Sequence, residues 1–137
     1  MKIRKSKKPA KTRRQSAATT TPPNILKILA TTDFSDESRS GVSYAVALGE
    51  KLGATVALLH VIEPSARLSG TETVVFARKD SEVVAFAREK LATLAKRVGR
   101  GDVALTASVR TGKPFHEINT AARESTADLI VIATHGY

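Results

Sequence analysis

Residues 24–62 read NILKILATTDFSDESRSGVSYAVALGEKLGATVALLHVI, in which two apolar runs lie on either side of a segment with helical periodicity. The runs Ile25–Ala30 and Thr55–Ile62 are typical of buried strands. Between them, Ser35 is suited to cap a helix and Gly53 to end it. The apolar residues of that helix recur at helical spacing: Val42, Ala45, Leu48 and Leu52. The segment therefore predicts a β-α-β unit.

The same alternation continues along the rest of the sequence. Residues 65 to about 79 have no clean period and contain Gly70, so we predict a loop there. The later predicted elements are a helix from Asp80 or Ser81 to Val98, a strand over 103–110, a helix that starts at Gly112-Lys113-Pro114 with Phe115, Ile118 and Ala122 inward, and a strand over 129–133. The order β-α-β-α-β-α-β predicts an α/β fold with a doubly wound parallel sheet.

The composition of the strands predicts their order in the sheet. Residues 103–110 alternate between apolar and polar, as an edge strand can, whereas Thr55–Ile62 and Leu129–Ala133 are nearly continuous aliphatic runs. The order 3-2-1-4 places strand three at one edge, but it leaves the apolar strand four at the other. Proteins normally cover such an edge. We therefore expect a partner strand, or sequence beyond Tyr137, to pair with strand four.

The basic charge of the chain is concentrated in its first 23 residues. They hold eight Lys and Arg and no acid, whereas residues 24–137 hold 14 basic and 13 acidic residues. We predict a disordered tail at 1–23, because it has almost no large apolar side chain to bury, and one folded domain at 24–137. The tail could contact an acidic partner, nucleic acid or anionic lipid, or be a solvated extension. The near-neutral domain gives no reason to expect a nucleic-acid groove.

The composition also excludes several kinds of site. Without cysteine there is no disulfide scaffold, cysteine-ligated zinc, iron–sulfur cluster or thiol nucleophile. No run approaches the roughly 18 apolar residues of a membrane span, and no secretory signal follows the N-terminus, so we predict no membrane partner. We interpret His60 as a satisfied core residue and His116 as exposed, and His135 has no carboxylate near it in sequence. No catalytic or metal-ligating residue is predicted.

A ligand on this kind of sheet is expected beyond the carboxyl ends of the strands, where the strand order reverses. With the order 3-2-1-4, that point lies between strands one and four, at the loops 31–35 and 134–137. Strand two ends nearby, at Val61-Ile62. Asp33 could bind a ribose hydroxyl or a metal carried by a nucleotide, or it could bond nearby backbone N–H groups as a loop residue. Val61 is most simply a core residue.

Four motifs follow one another along residues 24–137: LATTDFS at 29–35, LHVIEP at 59–64, GKP at 112–114 and ADLIVIATHG at 127–136. Together they resemble the universal stress protein family. The resemblance implies an adenine nucleotide alpha hydrolase-like fold and a small cytoplasmic protein, often a homodimer, which in some members binds ATP. It also implies that the nucleotide would be contacted by Thr31, Thr32, Asp33, Val61, Ala133, Thr134, His135 and Gly136.

The sequence departs from the family's phosphate-binding pattern, G-x2-G-x9-G-[ST], which begins at the end of strand four. Ala133 stands where the first glycine would be, Gly136 matches the second, and the third would fall past Tyr137. The resemblance also implies a fourth helix and a fifth strand, the usual dimer seam, which we would expect to follow Tyr137. The resemblance therefore implies that ATP binds to this chain weakly or not at all.

Three functions are consistent with these features. The leading hypothesis is a regulatory module of the stress response that responds to a nucleotide and has no chemical step of its own. One alternative is a module for dimerisation or protein interaction that binds no nucleotide. A less favoured alternative is an adenine-nucleotide-hydrolysing enzyme, because the loops at the switch point hold no activated nucleophile and no paired acid and base.

Overall fold

A computed structural model describes residues 21, 23–64 and 73–134, apart from the side chains of residues 73–79. The elements in chain order are β1 (Lys27–Thr31), α1 (Asp36–Leu52), β2 (Thr55–Ile62), α2 (Thr73–Val98), β3 (Leu105–Thr111), α3 (Pro114–Glu124) and β4 (Leu129–Val131). Most of the predicted tail at 1–23 lies outside the described residues, as do residues 135–137.

The strands form one parallel sheet in the order β3-β2-β1-β4, which confirms the predicted fold class and strand order. The last register pairs toward the carboxyl ends are Thr31 with Leu59, Ala30 with Val131 and Ile62 with Thr111. Every residue of β3 is at least partly exposed, as expected of an edge strand. The strand order reverses between β1 and β4, so the predicted switch point exists.

The two faces of the sheet are covered unequally. Helices α1 and α2 cover one face, where the larger core contains the buried residues Ile28, Ala30, Val42, Ala45, Val46, Ala54, Val56, Leu58, Leu91, Leu94 and Val98. Helix α3 covers the other face, where only Leu29, Leu59 and Ala121 are buried. Successive side chains of a strand point to opposite faces, so each strand contributes to both cores. The thinner α3 side leaves room for a cavity.

Helix α1 is fixed at both ends by the residues that the sequence predicts. Ser35 has extended backbone angles, and its side chain accepts a hydrogen bond from Ser38 N. Gly53 follows the helix in the left-handed region, with φ 67°. The N-terminal cap places the first turn of α1 directly after the loop that leaves β1.

Helix α2 begins earlier than predicted. It starts at Thr73, so the loop prediction is wrong for residues 73–79, and residues 65–72 lie outside the described residues. Asp80 and Ser81 are inside the helix, where such residues cost at most about 0.7 kcal/mol each relative to alanine. No glycine or proline separates Thr73 from Asp80, so nothing stops the helix there.

Helix α3 packs on the sheet through two of the three residues predicted to face inward, Ile118 and Ala122. Phe115 was expected to face inward, but it is 68% exposed. The helix packs through Ile118, Ala121 and Ala122, and Pro114 lies on the same side. Because each residue turns a helix by about 100°, Phe115 points away from the sheet once Pro114 faces it. Strand β4 is also shorter than predicted, since it ends at Val131.

Candidate functional site

A crevice of about 190 Å³ opens at the carboxyl ends of β1 and β2, on the α3 side of the sheet. It lies at the switch point between β1 and β4. The residues that line it are Thr31, Thr32, Asp33, Ser38, Leu59, Val61, Pro114, Ile118, Ile132 and Ala133. Six of these side chains are apolar, and the polar groups all come from the end of β1, the β1–α1 loop and the first turn of α1.

The structure brings five of the eight predicted site residues together. They line the same crevice: Thr31, Thr32, Asp33, Val61 and Ala133. Thr134 is exposed and does not line it. His135 and Gly136 lie outside the described residues. The crevice thus joins segments that are far apart in the sequence, because parallel strands end at the same edge of the sheet.

A buried hydrogen-bond network holds the β1–α1 loop in shape. The hydroxyls of Thr32 and Ser38 are 2.9 Å apart, and both residues are only 5% exposed. Ser38 Oγ donates to Ser35 O at 3.0 Å, so the hydroxyl of Thr32 donates to Ser38. Thr32 Oγ1 in turn accepts from Phe34 N at 2.9 Å. These bonds fix the backbone that carries Asp33.

Asp33 has loop-bracing contacts in addition to its place on the crevice wall. Its Oδ1 accepts hydrogen bonds from Ser35 N at 2.9 Å and from Ser35 Oγ at 2.5 Å. This is the local contact that the loop interpretation of Asp33 predicted. The side chain is exposed. Asp33 therefore supplies negative charge at the mouth of the crevice while it orders the start of α1.

The end of β2 presents an open backbone edge to the crevice. Pairing with β1 stops at Thr31–Leu59, whereas β2 continues to Ile62. Leu59 O accepts from Thr32 N, so the polar groups of Leu59 face β1. Alternate residues of a strand face the same neighbour, so the N–H and C=O of Val61 also point to this side, past the end of β1. Val61 thus offers a donor and an acceptor next to apolar walls.

His60 and Phe34 lie on the opposite face of the sheet from the crevice. His60 Nδ1 donates to Thr32 O at 2.7 Å, and its ring centroid is 4.4 Å from that of Phe34. His60 thus has the hydrogen-bond partner that its interpretation as a satisfied histidine predicted, but it is part-buried and does not belong to the core. Phe34 adopts φ 67°, which is uncommon for a residue other than glycine. The loop therefore sends Asp33 to one face and Phe34 to the other.

Charged clusters in the described part of the chain lie away from the crevice. Arg110 forms ion pairs with Glu124 and, at 3.6 Å, with Glu117, which ties β3 to α3. The hydrogen bond that Arg110 donates to the Glu124 carboxylate raises the pKa of its guanidinium, against a smaller lowering by burial. Within residues 23–64 and 80–134, no three His, Asp or Glu side chains are grouped as metal ligands. Among the helices of the described residues, none has the length and apolar character of a membrane-spanning segment.

Sequence reasoning missed half of the crevice wall. The missed residues are Ser38, Leu59, Pro114, Ile118 and Ile132. Ser38 and Leu59 each lie within three residues of a predicted element boundary, but only the assembled sheet shows which of their sides faces the crevice. The contribution of α3 could have been found from topology, since a right-handed crossover from β3 to β4 places α3 on the face opposite α1.

Comparison with known proteins gave a family match and structural matches. Residues 24–137 match the family model described as the universal stress protein family. The fold is similar to UspA from Lactobacillus plantarum (23% identity, TM-score 0.71, 82% of this chain and 81% of that one) and to a universal stress protein from Burkholderia pseudomallei (22%, 0.66, 82% and 84%). It is also similar to a universal stress protein in complex with cAMP (22%, 0.53, 80% and 76%). No curated protein sequence matches the chain significantly.

Proposed function

Because the chain belongs to the universal stress protein family, we propose that it is a regulatory module that responds to an adenine nucleotide and has no chemical step of its own. The observation that carries the proposal is the open backbone edge of Val61 beside the apolar walls of the crevice. Adenine has flat apolar faces and an edge with adjacent hydrogen-bond donor and acceptor. Such a base would lie between Val61 and the α3 side chains, and pair with the backbone of Val61.

The size of the crevice supports binding of the base more than binding of a whole nucleotide. Its volume of about 190 Å³ is below the roughly 300–1,000 Å³ of ordinary small-molecule pockets. A ring system would fill it, and the sugar and phosphates would lie outside, toward Asp33 and Ala133. The complex of a structural relative with cAMP makes cAMP and AMP suitable ligands to test.

The end of the crevice where the phosphates would lie is less favourable for an anion. Ala133 lines the crevice and stands where the family pattern has glycine. Asp36 and Glu37 occupy the first turn of α1, and their charge opposes the helix dipole that would otherwise attract a phosphate. We therefore propose that added phosphates contribute little, so that AMP, cAMP and ATP bind with similar, weak affinity.

Calorimetric titration of the full chain tests this function. We expect AMP, cAMP and ATP to bind with a Kd of about 1 mM, or about −4 kcal/mol, and GMP to bind more weakly. Thr31→Trp should fill the crevice and weaken AMP binding at least about tenfold. Thr106→Trp is the matched control, because Thr106 is exposed on the edge strand β3. An equal loss of AMP affinity in both variants would contradict the assignment of the crevice as the binding site.

Three other results would change the proposed function. Micromolar affinity for ATP would show that the phosphates are held by groups that we have not assigned. Absence of binding by every adenine compound would favour the interaction module without a nucleotide. Release of ADP, AMP or phosphate at a steady rate would favour the enzyme.

We propose in addition that the protein self-associates through β4. This strand pairs with β1 on one side, and no other strand of the described chain pairs with it. Ile130 and Ile132 are 37% and 52% exposed on the α3 side. An unpaired apolar edge can add a strand from a second copy. Family membership also favours a cytoplasmic location, which cell fractionation would test.

A further inference from the structure

A second concave surface lies between α1 and α2, on the face of the sheet opposite the crevice. It encloses about 280 Å³. We call it the α1–α2 groove, lined by Phe34, Arg39, Phe86, Glu89, Lys90, Thr93, Leu94 and Arg97. None of these residues lines the nucleotide crevice. The groove is therefore a separate site with its own chemistry.

Two aromatic rings and one ammonium group form the centre of the α1–α2 groove. Lys90 Nζ lies 4.6 Å from the ring centroid of Phe34 and 5.5 Å from that of Phe86. The ring of Phe34 packs against the ring of His60, whereas Phe86 is 62% exposed. An aromatic side chain this exposed, beside the buried Leu94, offers apolar contact area that water covers in the free molecule.

The charges of the groove are mostly positive and incompletely paired. Arg39, Lys90 and Arg97 face a single lining carboxylate, Glu89. Among the residues that the structure describes, Arg39 pairs with Asp36 alone, at 3.5 Å, and the Asp36 side chain is 95% exposed. Among the described side chains, no carboxylate lies within 4.0 Å of the cationic groups of Lys90 or Arg97. The rest of the domain is nearly neutral, so this cluster is a local excess of positive charge.

We propose that the α1–α2 groove binds an acidic peptide segment of a partner protein. One aromatic or large aliphatic side chain of the segment would pack on the exposed ring of Phe86, beside Leu94. Its flanking carboxylates would pair with Lys90 and Arg97 on one side and with Arg39 on the other. The volume supports a side-chain anchor, since about 280 Å³ is just under the range of pockets that enclose a whole drug-sized ligand.

Charge and apolar contact together favour an acidic peptide over three other possible occupants: the tail, a second copy of the chain and a nucleic acid. The tail at 1–23 carries eight cations and no acid, so it would be repelled. A second copy in a twofold arrangement would bring the same cations together. A nucleic-acid backbone would also meet the cations, but its phosphates carry no apolar side chain that could pack on the exposed ring of Phe86. A peptide with spaced carboxylates and an apolar residue between them can form ion pairs with the cations and pack on the aromatic rings at the same time.

Calorimetry with synthetic peptides and the full chain tests the proposal. The probe is an acetylated and amidated peptide EDELWEDE, and its controls are KRKLWKRK, which reverses the charge, and EDESSEDE, which lacks the anchor. We expect binding of EDELWEDE alone, weakened by added salt. Lys90→Glu and Phe86→Ser should each weaken it about tenfold or more.

Matched variants separate the groove from the tail. Lys51→Glu changes the same charge in the last turn of α1, and Tyr44→Ser removes an aromatic ring that is 65% exposed on α1. Neither residue lines the groove, so binding should stay within about twofold of the unmodified chain. Equal affinity in all four variants would overturn the proposal and assign the peptide to the basic tail. Absence of EDELWEDE binding at millimolar concentration would overturn it as well, as would tighter Lys90-dependent binding of oligothymidylate.

Discussion

At the residue scale, the most informative feature is the pair of buried hydroxyls under the β1–α1 loop. Ser38 Oγ accepts from Thr32 Oγ1 and from Asp33 N, and it donates to Ser35 O. The sequence predicts the Ser35 cap, because capping depends on neighbours within three residues. It does not predict the conformation of Phe34, because an aromatic residue with positive φ is held there by contacts with β2 and α2.

Ser38→Ala should therefore destabilise the fold by about 1–3 kcal/mol, since it leaves the buried hydroxyl of Thr32 without its acceptor. Ser43→Ala is the control, because Ser43 is exposed in the same helix, and it should change the free energy of unfolding by less than about 0.5 kcal/mol. Urea denaturation of both variants measures the difference. Equal effects would show that the hydroxyl network contributes nothing beyond helix propensity.

At the element scale, two glycines of α1 differ in what surrounds them. A Cβ at Gly49 would lie 2.7 Å from Val56 Cγ2 and 3.3 Å from Ala54 O, whereas a Cβ at Gly41 would lie no closer than 3.5 Å to its nearest neighbour, Ala133 Cβ. Gly49 thus lets α1 approach β2 closely. The spacing of apolar residues predicts α1 from the sequence, but it does not predict this contact with β2. In the same way, it did not predict the first turns of α2, because no change of pattern marks where that helix starts.

Alanine at both positions removes the same helix-propensity cost, about 1 kcal/mol. Gly41→Ala should therefore be neutral or raise the melting temperature. Gly49→Ala should lower it, because Val56 is 1% exposed and has no room to move. Thermal unfolding followed by circular dichroism compares the two variants. A stabilised Gly49→Ala would contradict the close packing of α1 on β2.

At the scale of the whole molecule, the parallel sheet and its switch point were predictable from the order of apolar runs. The sequence also predicted that β4 would be an edge. What it could not show is the uneven cover of the two faces, which leaves Ile130 and Ile132 exposed and leaves space for the crevice under α3. That imbalance depends on how far α3 extends across the sheet.

Self-association through β4 should be lost when a charge is placed on its exposed side. Ile130→Lys should shift the protein toward monomer in sedimentation velocity, because the ammonium group would be buried in the contact between the two copies. Leu26→Lys is the control: Leu26 is 52% exposed just before β1. A clean monomer for the unmodified chain at high concentration would contradict the proposed edge.

Deleting residues 1–23 should leave the melting temperature nearly unchanged. The segment has Ile3 as its one large aliphatic residue besides Met1, so little apolar area is available to pack on the domain. Differential scanning calorimetry of the shortened and full chains makes the comparison. A large loss of stability would show that residues 1–23 pack on the folded domain.

The central claim is that an adenine ring occupies the crevice and pairs with the backbone of Val61. Amide chemical-shift mapping of the full chain during titration with AMP tests it most directly. The account predicts that the largest shifts fall on Val61, Asp33 and Ala133, that they saturate near millimolar ligand, and that GMP shifts them less. Shifts confined to the α1–α2 groove or to the tail, or no shifts at about 10 mM AMP, would contradict it.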